Sequence, residues 1–573
     1  MTGDDTQALL HQALQKHQTG DLAGAAPLYQ QALKANPQHP DALHLLGFLL
    51  HQAGKPAEGL KLVDAAIAIA PRQSSFRSNK ARILQRLGHQ TEADTAFQMA
   101  LALDPSDAGA LRELAEARRG NGEVVAAAPL FHRLLSLSPA DPIALLAEAT
   151  SRIDLDHYDA ARHLLRKCLL VAPALIEATN SYAFLGITAL TFVEARRWFM
   201  RTITAQPRYA APYSGLSEIT YFEGDVTGSI GFSEQALAMT PDDPQIRVRH
   251  GMRLLSAGRI QEGWQNFEWR LKRPDSVQRI GLPRRWQGEP ISGKRILVCA
   301  EEGVGDEILY ASLIPDLLSA GASVVIECAP RLVGVFQRSF PDCFVHSYIR
   351  HGDRFRPVHE YDWLPQDPPV DYAIEGGSLP ARLRPDTASY KHQRPYLSAS
   401  PERVRHMEEK LAALPPGPRI GFAWRSRIGD SFRNLFNTRL DEWQNLLTDP
   451  KLQIVSMQYG IGWEREIAEA RQAFGARLHV FDDVDMTNDF EDIFALAASV
   501  DCLICPSSTL VWVGAGLDKS VFQFALRPYF PQLGSESCPG FPTVKCFLKL
   551  AAEPWSCVTD AITASVQSRC PPG

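Results

Sequence analysis

The chain of 573 residues has no run of about 18 uninterrupted apolar residues, so a membrane-spanning helix is not expected. It also carries little net charge. Its 59 Lys and Arg against 65 Asp and Glu leave −6, no field that would draw in a phosphate backbone, and nucleic acid is not an expected partner. Cysteine is sparse and scattered: there are ten, only Cys168 falls in the first half, and no disulfide framework is implied. Cys502 and Cys505 form a CxxC, but they lie in the apolar run DCLICP with no second pair at zinc-site spacing and read as buried thiols. The N-terminus, MTGDDTQALL, opens on acids with no basic segment leading into an apolar stretch. It does not read as a secretory signal, and the expected location is cytoplasmic. Core-forming material is plentiful, with 45% hydrophobic and 9% aromatic residues, enough for three or four domains or an array of repeats.

The strongest pattern is a ruler of 34 residues. Pro37, Pro71, Pro105, Pro139, Pro173, Pro207 and Pro241 follow one another at that interval without a slip. Small residues keep the same register, first Ala13, Gly47, Ala81, Ala115, Ala149 and Ala183, then Ala25, Gly59, Ala93, Ala127, Ala161 and Ala195. Such positions suit two antiparallel helices that cross too closely for a larger side chain, and each proline stops the second helix of its pair. Period, small positions and terminal proline together resemble the tetratricopeptide repeat. Seven repeats are expected over 6–243, with a partial eighth, MRLLSAGRIQEGWQNFEWRL, and a linker over 244–292 closing the α-solenoid. Such an array offers a docking surface for an acceptor polypeptide, or else builds only a scaffold. Asn36, Asn79, Asn121 and Asn180 fall at four different repeat positions, so no asparagine ladder is expected.

Beyond the repeats the pattern becomes α/β. Expected strands are Arg295 to Ala300, Ser323 to Cys328, Cys343 to Ser347 and Asp371 to Glu375 in a first lobe, 293–400. A second lobe, 401–573, is expected to hold Arg419 to Trp424, Gln453 to Gln458, Leu478 to Phe481, Asp501 to Cys505 and Ser520 to Ala525. Strands alternating with helices imply two Rossmann-like parallel sheets, whose ligands sit beyond the carboxyl ends of the strands.

In this half EGWQNFEWRL, the W-x-G of Trp286 and Gly288, EEGVGDEILYA, RPYLSASPE, GFAWRSR, VSMQYG, DCLICPSSTLVWVGAGL and PGFPTVKCF occur in an order that resembles bacterial fusions of tetratricopeptide repeats to a heptosyltransferase-like, family 9-type glycosyltransferase of GT-B fold. The resemblance runs from about Gly263 to Val566. It implies an inverting, metal-independent transferase that takes a sugar from a nucleotide-sugar donor, with no bound cofactor. Some relatives glycosylate flagellin in the cytoplasm after docking it on the repeats.

The two candidate loops differ in charge. The loop EEGVGDE has Gly303 and Gly305 for a tight turn, but Glu301, Glu302, Asp306 and Glu307 crowd it with carboxylates that would repel a phosphate. It suits a base, and Asp306 matches the GD aspartate that is the proposed base in heptosyltransferases; the alternative is that Asp306 only caps its helix. In the second lobe Arg425, Ser426, Arg427 and Arg433 follow one strand, while Pro506, Ser507, Ser508 and Thr509 follow another and open a helix, a set suited to a donor's phosphate or sugar carboxylate, or to plain capping. Gln458 matches a position that contacts base or ribose in relatives. Asp489 is either a ribose ligand or, with Asp482, Asp483 and Asp485, part of acidic helix-start turns; Trp424 and Tyr459 are either base-stacking or core. Relatives open the last helix with D-T-x-x-x-H. Here Ser507, Ser508 and Trp512 stand instead, so acid and histidine are both missing. An uncharged loop tolerates an anionic sugar such as a CMP-activated nonulosonic acid, and the same loss fits a non-catalytic adaptor or chaperone with a degenerate transferase lobe.

Overall fold

In a computed structural model, residues 3–301, 303–352, 357–390, 395–426, 436–526 and 528–569 are described. The chain forms two compact units, Met1–Leu175 and Ile176–Gly573. The boundary falls inside the repeat array, well before the expected solenoid end at 243, because the later repeats share cores with the α/β region.

The first unit is five antiparallel helix pairs, from Gly3–Gln18 with Leu22–Ala35 to Pro142–Asp154 with Tyr158–Val171. The predicted crossings are close. A Cβ on Gly47 would sit 2.7 Å from the Gly59 carbonyl oxygen, so backbones touch where the small residues recur. The turn inside each pair needs a left-handed residue, which Gly20, Gly54, Gly88 and Gly122 supply at φ near 80° and Asp156 at 63°. That second 34-residue register continues as Leu190, Gly224 and Gly258 in the other unit. Adjacent repeats are also joined by polar contacts between first helices, 35 residues apart. His17 bonds Gln52 at 2.6 Å, His44 bonds Asn79 at 2.7 Å, and Arg119 bonds Asp154 at 2.6 Å. Within the second unit Arg253 pairs with Glu218, and Tyr221 bonds Ser256 at 2.7 Å.

The second unit opens with three more helix pairs, the last being Pro244–Ser256 with Ile260–Phe267. Among the described residues thirteen strands follow: β1 (Gln278–Ile280), β2 (Arg295–Cys299), β3 (Ser323–Cys328), β4 (Phe344–Ser347), β5 (Arg350–His351), β6 (Val358–Glu360), β7 (Tyr372–Glu375), β8 (Arg419–Phe422), β9 (Gln453–Ser456), β10 (Leu478–His479), β11 (Cys502–Pro506), β12 (Ser520–Leu526) and β13 (Val544–Lys549). The four-stranded sheet has the order β4-β3-β2-β7 and the six-stranded sheet β10-β9-β8-β11-β12-β13; every pairing in both is parallel. All nine expected strands occur, several ending a residue or two earlier than expected. The short β1, β5 and β6, which form a separate mixed sheet, and the edge strand β13 were not expected. They are short or lack an alternating apolar pattern, so local sequence gives them little signal.

Both parallel sheets contribute to one apolar core, from Ile296, Val298 and Ile326 in the first to Val455, Leu503 and Val521 in the second. The helices Val304–Ala311 and Thr509–Gly516 meet inside it. A Cβ on Gly305 would be 3.1 Å from Thr509 Oγ1, which brings the two helix starts together. The last repeats pack on the second lobe through Ile187, Phe199 and Phe222 against Leu526 and Ala551. Their turn glycines make the closest approach: a Cβ on Gly224 would meet Leu550 Cδ2 at 2.7 Å. Among the described residues no helix is long and apolar enough to cross a membrane.

Candidate functional site

The carboxyl edge of the four-stranded sheet is built around buried acids. β2 ends at Cys299, and the Ala300 N–H donates to Glu327 Oε2 at 2.9 Å. Glu327, the last but one residue of β3, has a fully buried side chain that also accepts from Tyr361 Oη at 2.9 Å and meets His359 Nδ1 at 3.1 Å. Arg279 of β1 reaches the Ala300 carbonyl at 2.6 Å and Tyr361 Oη at 2.8 Å, and lies 3.6 Å from Glu375, which also pairs with Arg285. Glu301 accepts from the Gly377 N–H at 2.6 Å and from Arg270 Nη2 at 2.8 Å.

Gly303 stands at the helix N-terminus in extended backbone, and Asp306 is exposed in the first turn. A Cβ at Gly303 would come within 2.8 Å of Asp306 Oδ2, so this carboxylate is turned back toward the helix start. Glu307 is buried. Its Oε2 accepts from the Ala329 N–H at 2.8 Å, while Oε1 has no partner among the described residues. Burial pushes its carboxyl up to about 8, and the charges of Glu327, Glu301 and Asp306 push the same way against the Ala329 hydrogen bond. The expected wall of four repelling charges is therefore corrected. Glu301 is neutralised by Arg270 and Glu307 holds its proton at neutral pH, which leaves Asp306 exposed; Glu302 lies outside the described residues.

The carboxyl edge of the six-stranded sheet is different. Arg425 does not present a free cation: it is 3% exposed, its Nε lies 3.0 Å from Glu466 Oε2, and its Nη2 donates to the Ile461 carbonyl at 2.9 Å. A buried guanidinium needs a counter-charge, and Glu466 supplies it. Gln458 is likewise consumed by its own lobe. Its Oε1 accepts from the Trp424 and Arg425 N–H groups at 3.0 and 3.1 Å, and its Nε2 donates to the Arg425 and Tyr459 carbonyls at 2.9 Å each. Trp424 is fully buried, with its Nε1 donating to Glu466 at 2.6 Å, and is not available to stack on a base. Asp489 caps the helix Phe490–Ser499, accepting from the Glu491 N–H at 2.9 Å, and pairs with Arg403 at 2.9 Å. The capping alternative is the one seen there. Asp483 pairs with Lys410, and Asp485 accepts from the Thr487 N–H at 2.8 Å.

Parts of this edge retain hydrogen-bonding capacity, the buried Arg425 Nη1 among them, which has no partner among the described residues. The Ser426 N–H donates to Asn437 Oδ1 at 2.8 Å, fixing the start of its loop; Arg427 and Arg433 lie outside the described residues. Ser507 Oγ is 3.4 Å from Tyr529 Oη. Ser508, at the N-terminus of the helix Thr509–Gly516, makes no side-chain cap bond, and its buried Oγ has no partner among the described residues. Beyond β9 and β10 a cavity of about 140 Å³ is lined by Gln458, Tyr459, Trp463, Phe481 and Asp485 among others. Among the described residues no cluster of three or more metal-ligating side chains occurs.

Sequence reasoning missed Arg270, Arg279, Glu327, His359 and Tyr361, which gather from distant parts of the chain. One signal was present: Glu327 and Glu375 interrupt the otherwise apolar strands SVVIEC and DYAIE, and an acid in a buried strand needs a dedicated partner.

The tetratricopeptide repeat family matches residues 16–83 and again 79–142, so the chain carries tetratricopeptide repeats over that stretch. It is similar to Protein FlbA of Caulobacter vibrioides, 26% identical over 421 residues that cover 66% of this chain and 70% of that protein. Among solved structures it resembles pilF of Pseudomonas aeruginosa at 17% identity and a TM-score of 0.35, covering 38% of this chain and 98% of that one. MamA is similar at 21% identity and a TM-score of 0.26, covering 28% and 94%.

Proposed function

We propose that this chain is a cytoplasmic protein O-glycosyltransferase of the GT-B type, an inverting and metal-independent enzyme that moves a sugar from a nucleotide-sugar donor to a Ser or Thr of a polypeptide docked on the repeats, flagellin being the candidate acceptor. The observation that carries the reading is the meeting of the helix starts Val304–Ala311 and Thr509–Gly516, which joins the carboxyl ends of two parallel sheets, the place where such folds bind ligands. The donor occupies the second lobe, with the partnerless Ser508 Oγ and the cavity beside Tyr459 as its polar and planar contacts. The acceptor hydroxyl meets the acid-lined edge of the first lobe, where Asp306 is the candidate base and Gly303 and Gly305 let the loop turn. Incubating the full chain with an isotope-labelled nucleotide sugar and a flagellin-like acceptor tests this. Label on Ser or Thr, lost in Asp306→Asn, supports it, and no label with any of the CMP, UDP, ADP or GDP sugars refutes it.

A second reading has its own support. Gln458 is bonded to local backbone and Arg425 is paired with Glu466, which is what an adaptor or chaperone with a degenerate transferase lobe would retain. Thermal unfolding with nucleotides separates the two, since a lobe that binds a nucleotide is stabilised by it and a degenerate one is not.

A further inference from the structure

The sequence implies no disulfide framework, yet the fold brings two thiols of the second lobe together. Cys538 lies in the connection from β12 to β13 and Cys546 on β13 itself, and their Sγ atoms are 3.5 Å apart. Local sequence makes the approach. Pro539 and Gly540 fill the middle of a turn that the Phe541 N–H closes on the Cys538 carbonyl at 3.0 Å, with Gly540 at φ 85°. A second bond of 3.0 Å runs from the Val544 N–H to the Phe541 carbonyl, and the two turns fold the chain back until the thiols meet. Cys538 is 2% exposed; Cys546 is half-buried, and its Sγ donates to Gln523 Oε1 at 3.6 Å. Among the described residues no third His, Cys, Asp or Glu joins them in a metal-ligating cluster, so the pair is a dithiol and not part of a cage. The connection also does more than join two strands. Its Leu533 shares an apolar core with Leu255, Ile260 and Trp264 of the last helix pair, and a Cβ on Gly534 would meet the Gly258 nitrogen at 2.7 Å. Its Phe541 lies 5.5 Å, centroid to centroid, from Trp512 of the helix Thr509–Gly516, and Tyr529 Oη is 3.4 Å from Ser507 Oγ. One segment therefore touches both the end of the repeats and that helix.

We propose that Cys538 and Cys546 form a redox-sensitive dithiol that hydrogen peroxide converts reversibly to a disulfide, fastening this segment to β13. The pair serves this role whether or not the chain transfers sugar. The sulfurs need approach by only about 1.5 Å to reach bonding distance. Contact with Cys546 and burial both hold the Cys538 thiol protonated, so the half-buried Cys546 reacts first. Its thiolate attacks one peroxide oxygen, the O–O bond breaks, and a sulfenic acid and hydroxide result. Cys538 passes its proton to that hydroxide and attacks the Cys546 sulfur. The S–S bond forms as the S–O bond breaks, and the departing hydroxide takes up the proton that Cys546 released. Two thiols have then lost two electrons and two protons, and one peroxide has become two waters. A dithiol reductant such as dithiothreitol restores both thiols.

The test treats the folded full chain with hydrogen peroxide, alkylates the thiols that remain and digests it without reduction. Mass spectrometry is expected to find a peptide pair linked through Cys538 and Cys546, absent when dithiothreitol is added to the folded chain before alkylation. The linked chain is expected to melt about 2–4 °C higher than the reduced one. In Cys538→Ala the sulfenic acid has no second thiol to resolve it, so dimedone is expected to label Cys546 roughly tenfold more than in the wild type. Equal labelling in the two, a wild type whose Cys546 passes to sulfinic acid with no linked peptide, or a link that dithiothreitol does not open in the folded chain overturns the proposal. A link that leaves Tm unchanged or lowers it overturns the fastening. The wild-type digest needs no variant, so the proposal stays refutable even where Cys538→Ala does not fold.

Discussion

The two parallel sheets end in edges of opposite economy. At the six-stranded sheet Gln458 bonds four backbone groups and Arg425 answers Glu466, while Arg425 Nη1 and Ser508 Oγ have no partner among the described residues. At the four-stranded sheet Glu327 of β3 and Glu375 of β7 share Arg279, Glu301 pairs with Arg270, Glu307 of the helix Val304–Ala311 stays protonated, and His359 lines a cavity. The first pattern fixes loop shape. The second leaves Glu307 Oε1 without a partner among the described residues.

Removing one cation from each edge should break the comparison most sharply. Arg279→Met leaves buried Glu327 without its guanidinium, while Glu375 keeps Arg285, and is expected to cost about 3–5 kcal/mol in denaturant unfolding. Glu307→Gln should give the next largest effect, as a change in pH dependence. Folded, the Glu307 carboxyl keeps its proton up to about pH 8; unfolded, it releases it near 4.5. Its contribution is therefore complete below about 4.5 and is lost as pH rises through about 8. Glu307→Gln has nothing to lose there, so relative to wild type it should gain stability across that window, by about 5 kcal/mol at most, read from Tm against pH. Arg425→Met should cost less than Arg279→Met, about 1–3 kcal/mol, because Glu466 is 28% exposed and water can take over its charge. If the two arginine variants cost the same, the edges are not different in kind. Smallest is Ser508→Ala. Its Oγ has no partner among the described residues, so stability should stay within about 0.5 kcal/mol, while the nucleotide-induced rise in Tm shrinks.

Much of this was legible in the chain. The proline ruler at 34 residues gave the helix pairs and their crossings, down to Gly47 against Gly59, because a repeat writes the same contact many times. The turn register Gly20, Gly54, Gly88 and Gly122 was equally visible; it is interrupted by Asp156 and Leu190 and resumes where Gly224 and Gly258 approach the second lobe. The nine longer strands were readable from their apolar runs. What could not be read was any contact whose partners are far apart in sequence. Arg425 reads as a free cation until Glu466 is placed beside it, and His359 carries no local motif that would mark it as the partner of Glu327. Asp489 shows the opposite case, since an acid opening an apolar helix is legible as a cap and is one.

The most direct trial of this account is sugar transfer by the full chain from a labelled CMP-nonulosonate, with the UDP, ADP and GDP sugars alongside, to a flagellin-like acceptor, comparing wild type with the Arg279→Met and Ser508→Ala variants. Covalent label on Ser or Thr in the wild type, nearly abolished when the first edge is disrupted and weakened through donor KM when the second is altered, is the result expected. A wild type that transfers no label and gains no thermal stability from any nucleotide would contradict it and leave a repeat protein whose two sheets serve only as a scaffold.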